Sequence, residues 1–270
     1  MLASAGTRIS VVTALSALTL LAGCDRTSPR AVARREARRA AANESAYHPA
    51  PAVASVSYVQ GRVVLSGAAQ PGVPVRLATP DGRVLTVIAR RDGAWRIVLP
   101  PSPDMLLYSL SMVDAGRIVQ SEGYLAVGPD VVAQLRAGAG AVTYDETTDS
   151  PRVTAIDYDS KGGCVVSGVA APRGMAAIQV DGVARGGVRT NAEGRFFLAL
   201  DEPVAMGSHT ITLLAGGKRA AVTVDVTPAG PMPSIPLLAA RTRSGWRVDW
   251  TTPGGGLQTT LLFASPGSLA

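Results

Sequence analysis

The feature that most restricts how this 270-residue chain can fold is a pattern written twice, 101 residues apart. Val63-Val64-Leu65-Ser66-Gly67-Ala68-Ala69-Gln70-Pro71 recurs as Cys164-Val165-Val166-Ser167-Gly168-Val169-Ala170-Ala171-Pro172. The same offset carries Gly93, Trp95, Ile97 and Leu99 onto Gly194, Phe196, Leu198 and Leu200, and Leu110 and Met112 onto Ile211 and Leu213. Upstream, Val56-Ser57-Tyr58 matches Ile156-Asp157-Tyr158 after a one-residue shift. Self-similarity of this length means two copies of one folding unit, and a body of about 220 residues fits two domains of about 100.

Each copy reads as β structure. Ala94 to Leu99 and Arg195 to Leu200 place an aromatic and two aliphatics at alternate positions after a glycine turn, the pattern of a half-buried strand. Asp81-Gly82 and Asp181-Gly182 each follow an apolar run, and Asp-Gly suits a tight hairpin because both residues tolerate positive φ. Tyr108, Leu110 and Met112 alternate, as do His209, Ile211 and Leu213, and Val222, Val224 and Val226 supply a further strand. Six or seven short strands per unit predict an all-β chain of two tandem antiparallel sandwiches.

A strand ending in Ser-Gly, a Pro-containing turn, Asp-Gly, then Gly-x-aromatic-x-aliphatic-x-Leu resembles bacterial Ig-like domains and the related carboxypeptidase regulatory-like sandwiches. The resemblance covers about residues 53–128 and 153–228 and rests on turn and core residues. It implies a spacer, adhesive or accessory module and transfers no catalytic residue. The implied division is a leader over 1–23, an Arg-rich tether over 24–52, sandwiches over 53–128 and 153–228 joined by a linker over 129–152, and a Pro-rich linker with a Trp-containing hairpin over 229–270.

The leader has its own chemistry. Arg8 and the amino terminus form a positive region, Ile9 to Leu21 an uncharged apolar stretch, and Ala22-Gly23 a pair of small residues, which is signal-peptide architecture. The apolar stretch falls short of the ~20 residues of a permanent membrane span. Leu21-Ala22-Gly23-Cys24 resembles the lipobox of bacterial lipoproteins. That resemblance implies a diacylglycerol on the Cys24 sulfur, cleavage before Cys24 and acylation of the new amino group; the other reading is a secretory signal with a chance cysteine. Two or three acyl chains would anchor stably where one binds only reversibly. Asp25 resembles the signal that retains enteric lipoproteins in the inner membrane, a rule that varies among bacteria. The expected location is the cell envelope, lipid-anchored and facing the periplasm.

The sequence pI of 9.8 invites a nucleic-acid reading that the distribution of charge removes. Six arginines fall within Arg26–Arg39, against Asp25 and Glu36, while residues 40–270 hold 19 basic and 18 acidic residues. The body is near neutral, so no basic face for a phosphate backbone is evident. A helix over about 31–42 would gather Arg34, Arg35, Arg38 and Arg39 within an arc of about 140°, a face suited to anionic headgroups. A solvated spacer is the alternative.

Reacting groups are scarce. The two histidines are His48, beside the tether, and His209, in a repeat strand where unit one has Tyr108. No nucleophile elbow, metal helix or phosphate loop is present, so the sequence calls for no catalytic residue, metal or cofactor. Cys164 opens an apolar strand and reads as buried and inert. The acidic run Asp145-Glu146-Thr147-Thr148-Asp149 matches no dedicated calcium loop and reads as solvated. In the C-terminal segment Trp246, Val248 and Trp250 alternate with Arg247 and Asp249, predicting a hairpin before the Pro253-Gly254-Gly255-Gly256 turn. A Trp246/Trp250 face could stack on the sugar rings of a glycan or peptidoglycan, or be buried against the second sandwich. Two functions therefore stand: an envelope spacer that binds a protein partner, or a glycan-binding module.

Overall fold

The computed structural model describes residues 34–35, 48–144, 150–232 and 236–263. Pro49–Ala270 is one compact unit, and Met1–His48 is the other, of which Arg34, Arg35 and His48 are described.

In the first repeat the strands are β1 (Ala52–Val59), β2 (Arg62–Ala68), β3 (Pro74–Ala78), β4 (Val84–Ile88), β5 (Ala94–Val98), β6 (Leu106–Asp114) and β7 (Arg117–Gln120). They are followed by β8 (Tyr124–Val127), β9 (Val132–Leu135) and β10 (Val142–Thr143). The second repeat gives β11 (Arg152–Asp159), β12 (Cys164–Val169), β13 (Met175–Val180), β14 (Val183–Arg189), β15 (Arg195–Ala199), β16 (Gly207–Ala215) and β17 (Lys218–Val226). The C-terminal segment forms β18 (Leu237–Arg241), β19 (Gly245–Thr251) and β20 (Leu257–Phe263).

Both repeats fold alike. The first, second and fifth strands make one sheet, β1-β2-β5 and β15-β12-β11, and the fourth, third, sixth and seventh make the other. All pairs are antiparallel, and this is an Ig-like sandwich in which the fourth strand joins the third rather than the fifth. Its repeated motif has a steric cause. Gly67 pairs with Trp95 and Gly168 with Phe196 across neighbouring strands, and a Cβ on either glycine would stand 2.5 Å from the ring. The Ser-Gly of each second strand thus makes the seat for the aromatic of each fifth strand.

The repeats differ in which sheet grows. In repeat two β17 runs unbroken along β16, whereas in repeat one the matching strand breaks into β7 and β8, pairing with Ser111–Asp114 and Leu106–Tyr108 of β6. At the break Gly123 has φ +62°, and a Cβ there would meet the Leu135 carbonyl oxygen at 1.8 Å. This kink lets β8 accept β9, and β9 accept β10. Residues 129–152, expected as a linker, therefore carry strands of the first sandwich's sheet. In repeat two the other sheet grows instead: β20 pairs with β11, β19 with β20 and β18 with β19. The C-terminal hairpin is a three-stranded extension of the second sandwich.

Three hydrophobic cores result. One lies inside each sandwich, around Leu65, Leu77 and Trp95 in the first and Ile156, Ile178 and Phe196 in the second. The third joins Met105, Leu107 and Ala126 of repeat one, and Leu135 of β9, to Trp246, Val248, Trp250 and Leu262 of the extension. The two growths face each other and fuse the sandwiches into one body.

Candidate functional site

The tryptophans settle where the extension faces. Trp246 is 6% exposed and Trp250 fully buried. Trp250 donates from Nε1 to Thr260 Oγ1 at 3.0 Å and meets Tyr124 edge-on, ring centroids 6.0 Å apart. Trp246 donates to Asp130 Oδ1 at 2.8 Å, Arg241 donates to Asp130 Oδ2 at 2.7 Å, and the Arg241 guanidinium lies 4.8 Å from the Trp246 ring centroid. Neither ring offers an open face for a sugar; of the two readings of the Trp246/Trp250 face, burial is the one the fold adopts, against the first sandwich rather than the second. Each ring covers the first sandwich instead of solvent.

Two buried carboxylates, which sequence reading did not single out, flank the same extension. Asp157, in β11, accepts from Ala141 N at 2.8 Å, Gln258 Nε2 at 3.0 Å and Thr260 Oγ1 at 2.5 Å. Burial pushes its carboxyl up despite these bonds, which pull it down. Gln258 also accepts from Gly138 N at 3.1 Å, so this network ties β11, β20 and the segment after β9 together. On the opposite face of β20, Asp249 accepts from Thr259 Oγ1 at 2.6 Å and pairs with Arg247 at 3.0 Å. Arg247 further donates to Tyr158 Oη at 2.9 Å and to the carbonyl of Pro228 at 3.0 Å. Because Thr259 and Thr260 are neighbours on one strand, their side chains point to opposite faces. The sheet separates Asp157 from Asp249, and the two cannot work as an acid-base pair. Their roles are joints between segments. The one sequence signal was a charge, Asp157, at a strand position where repeat one has Ser57.

Cys164 is buried, and burial, helped by Asp157, pushes its thiol up to about 12. His209 Nδ1 lies 2.7 Å from Asp181 Oδ2, and the Ala205 carbonyl is 2.9 Å from Nε2. The hydrogen bond to Asp181 is the main cause holding His209 above its ordinary value. Among the described residues no group of three or more His, Cys, Asp or Glu could hold a metal ion. Nor is any helix among them long and apolar enough to cross a membrane. Arg34 and Arg35 are helical and exposed. Cys24, Asp25, Arg38, Arg39 and the acidic run 145–149 lie outside the described residues.

One open concavity among the described residues lies beside β17. β17 stacks over β11, so β20, β19 and β18 reach out beyond its edge like a shelf. A groove of 870 Å³ runs between them, with Ala221–Asp225 of β17 on one side, Arg247, Leu261 and Phe263 on the shelf, and the Thr242–Ser244 turn at one end.

No family model matches the chain, and no curated protein matches it. Among solved structures it is similar to a BSP domain of a biofilm-associated protein, at 15% identity over 67% of this chain and 30% of that one, with a TM-score of 0.25. It is also similar to the central fibronectin-III array of RIM-binding protein (15% identity, 79% and 89% covered, TM-score 0.27). A third is the chicken interferon gamma receptor alpha chain (10% identity, 68% and 100% covered, TM-score 0.24). The chain thus spans less than a third of that BSP-domain chain. Likenesses at such scores carry no functional argument; the fold assignment rests on strand order and pairing.

Proposed function

We propose that this protein is a non-catalytic, lipid-anchored component of a bacterial cell envelope whose fused β body serves as a stiff spacer and protein-binding module. The observation that carries the reading of the body is the third core. Tandem sandwiches on a free linker would swivel, whereas a core shared by Leu107, Leu135, Trp246 and Trp250 holds their surfaces in fixed relation. A fixed relation is what a spacer or a two-domain binding surface needs. The anchor rests on Leu21-Ala22-Gly23-Cys24 and its leader, with the arginines of the tether adding attraction to anionic lipid. The glycan reading loses its support with the burial of both rings, and no other observation favours it.

Mass analysis of the mature N-terminus and membrane fractionation of a Cys24→Ser variant test the anchor. The expected result is an acylated N-terminal cysteine in the native protein, and an unprocessed, lipid-free chain in the variant. An unmodified Cys24, or a native chain that fractionates without membranes, overturns it.

A further inference from the structure

We propose that the free edge of β17, above the shelf of β19 and β20, is a docking groove for a single extended peptide strand of a protein partner. This deepens the reading of the body as a protein-binding module and rests on it, without depending on the anchor.

The edge is defined by register. Gly216 and Gly217 form a two-residue turn with φ of +57° and +73°, closing the pair Ala215↔Lys218. In such a hairpin the flanking pair exchanges both backbone bonds, and every second pair after it does the same. Ala220, Val222 and Val224 therefore point their backbone groups at β16, and Ala221, Thr223 and Asp225 point theirs outward. Among the described residues no backbone partner meets these outward groups. Charges stand at the two ends of the edge, Lys218 and Arg219 at one and Asp225 at the other, but between them, from Ala220 to Val224, the strand has no charge, no proline and no break in register. In repeat one β9 covers the β8 half of the matching strand, while the β7 half pairs with β6 alone.

The shelf decides what can occupy this edge. It extends three strands beyond β11, about 14 Å at the usual strand spacing. A second copy pairing β17 to β17 about a two-fold axis would drive its own lower sheet into this shelf, so a sandwich cannot dock edge to edge. One lone strand fits, with backbone paired to β17 and alternate side chains laid over the shelf, where Arg247 and the margins of Leu261 and Phe263, themselves 8% and 6% exposed and packed into the second core, line the groove. The far end is closed where Thr227 and Pro228 cross to Arg247 and Gly230 N donates to Asp249. The rim charges are Arg243, exposed in the turn, and Asp225 on the edge strand, neither engaged in an ion pair among the described residues. The complementary strand is apolar at alternate positions, with a carboxylate to meet Arg243 and a cation to meet Asp225. Pairing along an exposed edge supplies affinity while the alternate side chains supply selectivity.

The test uses the full chain and a synthetic library of peptides about ten residues long, with Val, Ile, Leu, Phe or Thr at alternate positions, Glu at one end and Lys at the other. Selected peptides are then measured by fluorescence anisotropy. Thr223→Pro removes one outward amide, in a position where an edge tolerates proline. The expected result is selection of a binding family whose affinity falls about tenfold or more with Thr223→Pro and severalfold with Arg243→Glu. N-methylation of alternate peptide amides should abolish it with no change to the protein, which guards against a variant that misfolds. Selection of nothing, or of peptides indifferent to N-methylation and to Thr223→Pro, overturns the proposal. So does binding that emerges only when residues 264–270 are deleted, which would assign the groove to the chain's own end. A partner crosslinked in cells and unaffected by Thr223→Pro would sink the groove while leaving the binding-module reading intact.

Discussion

Replacing Trp250 by alanine is the sharpest test of the fused body. The ring is fully buried between the shelf and the first sandwich, and a buried tryptophan removes about 150–250 Å² from water. At about 25 cal/mol per Å² that corresponds to about 4–6 kcal/mol, and measured Trp→Ala losses in cores run about 3–5. The lost hydrogen bond to Thr260 adds little, because the Thr260 hydroxyl keeps its own bond to Asp157. A loss of about 3–5 kcal/mol is comparable with the whole stability of many domains, so it should uncouple the sandwiches. Urea unfolding followed by both circular dichroism and tryptophan fluorescence should show one coincident transition in the native protein. In Trp250→Ala the two probes should separate, with the junction lost first and the sandwich cores later. A loss below about 1 kcal/mol with coincident transitions would refute the claim that this core joins the sandwiches.

Two further perturbations address single side chains. In the Cys24→Ser protein Cys164 is the remaining cysteine, and its buried thiol, raised to about 12, should resist a thiol reagent at neutral pH and react fully once the chain is unfolded; rapid labelling of the folded protein would contradict the burial. For the His209–Asp181 pair the pH dependence has two arms. Raised His209 contributes stability that is fully present below its unfolded value near 6.5 and lost as pH climbs through its higher folded value. Lowered Asp181 contributes above its unfolded value of 3.8, and loses that contribution as pH falls through its depressed folded value. Urea midpoints at mildly acidic and mildly alkaline pH should therefore differ more in the native protein than in Asp181→Asn, and equal differences would show that the pair does not couple to folding.

What could be read in the sequence was what local geometry imposes. Gly67 under Trp95 and Gly168 under Phe196 are forced by close approach, so the motif appears in both copies and betrays the repeat. The role of residues 129–152 was hidden for the opposite reason. In β9 Val132 enters the first core while Ala133 and Leu135 enter the junction, so both faces are covered and the alternation that marks a half-buried strand disappears. The alternation of Trp246, Val248 and Trp250 was plain, but its destination was not. What covers those rings is Met105, Leu107 and Leu135, more than a hundred residues earlier, and no local pattern names such a partner.

The junction and the groove are two consequences of one asymmetry. Two copies of a sandwich each have an edge on either sheet to extend, and here repeat one extends the sheet of its sixth and seventh strands while repeat two extends the sheet of its first and second. Had both grown alike, the last part of β17 would have received a strand as β8 receives β9. Because repeat two grew on the other sheet, its extension has two differently employed faces. Trp246, Val248 and Trp250 spend one face on the first sandwich, while Arg247, Leu261 and Phe263 turn the other toward an uncapped strand. The same three strands that make the body rigid therefore fix the width of the groove, and a partner strand would read an edge whose opposite wall is held by the junction core.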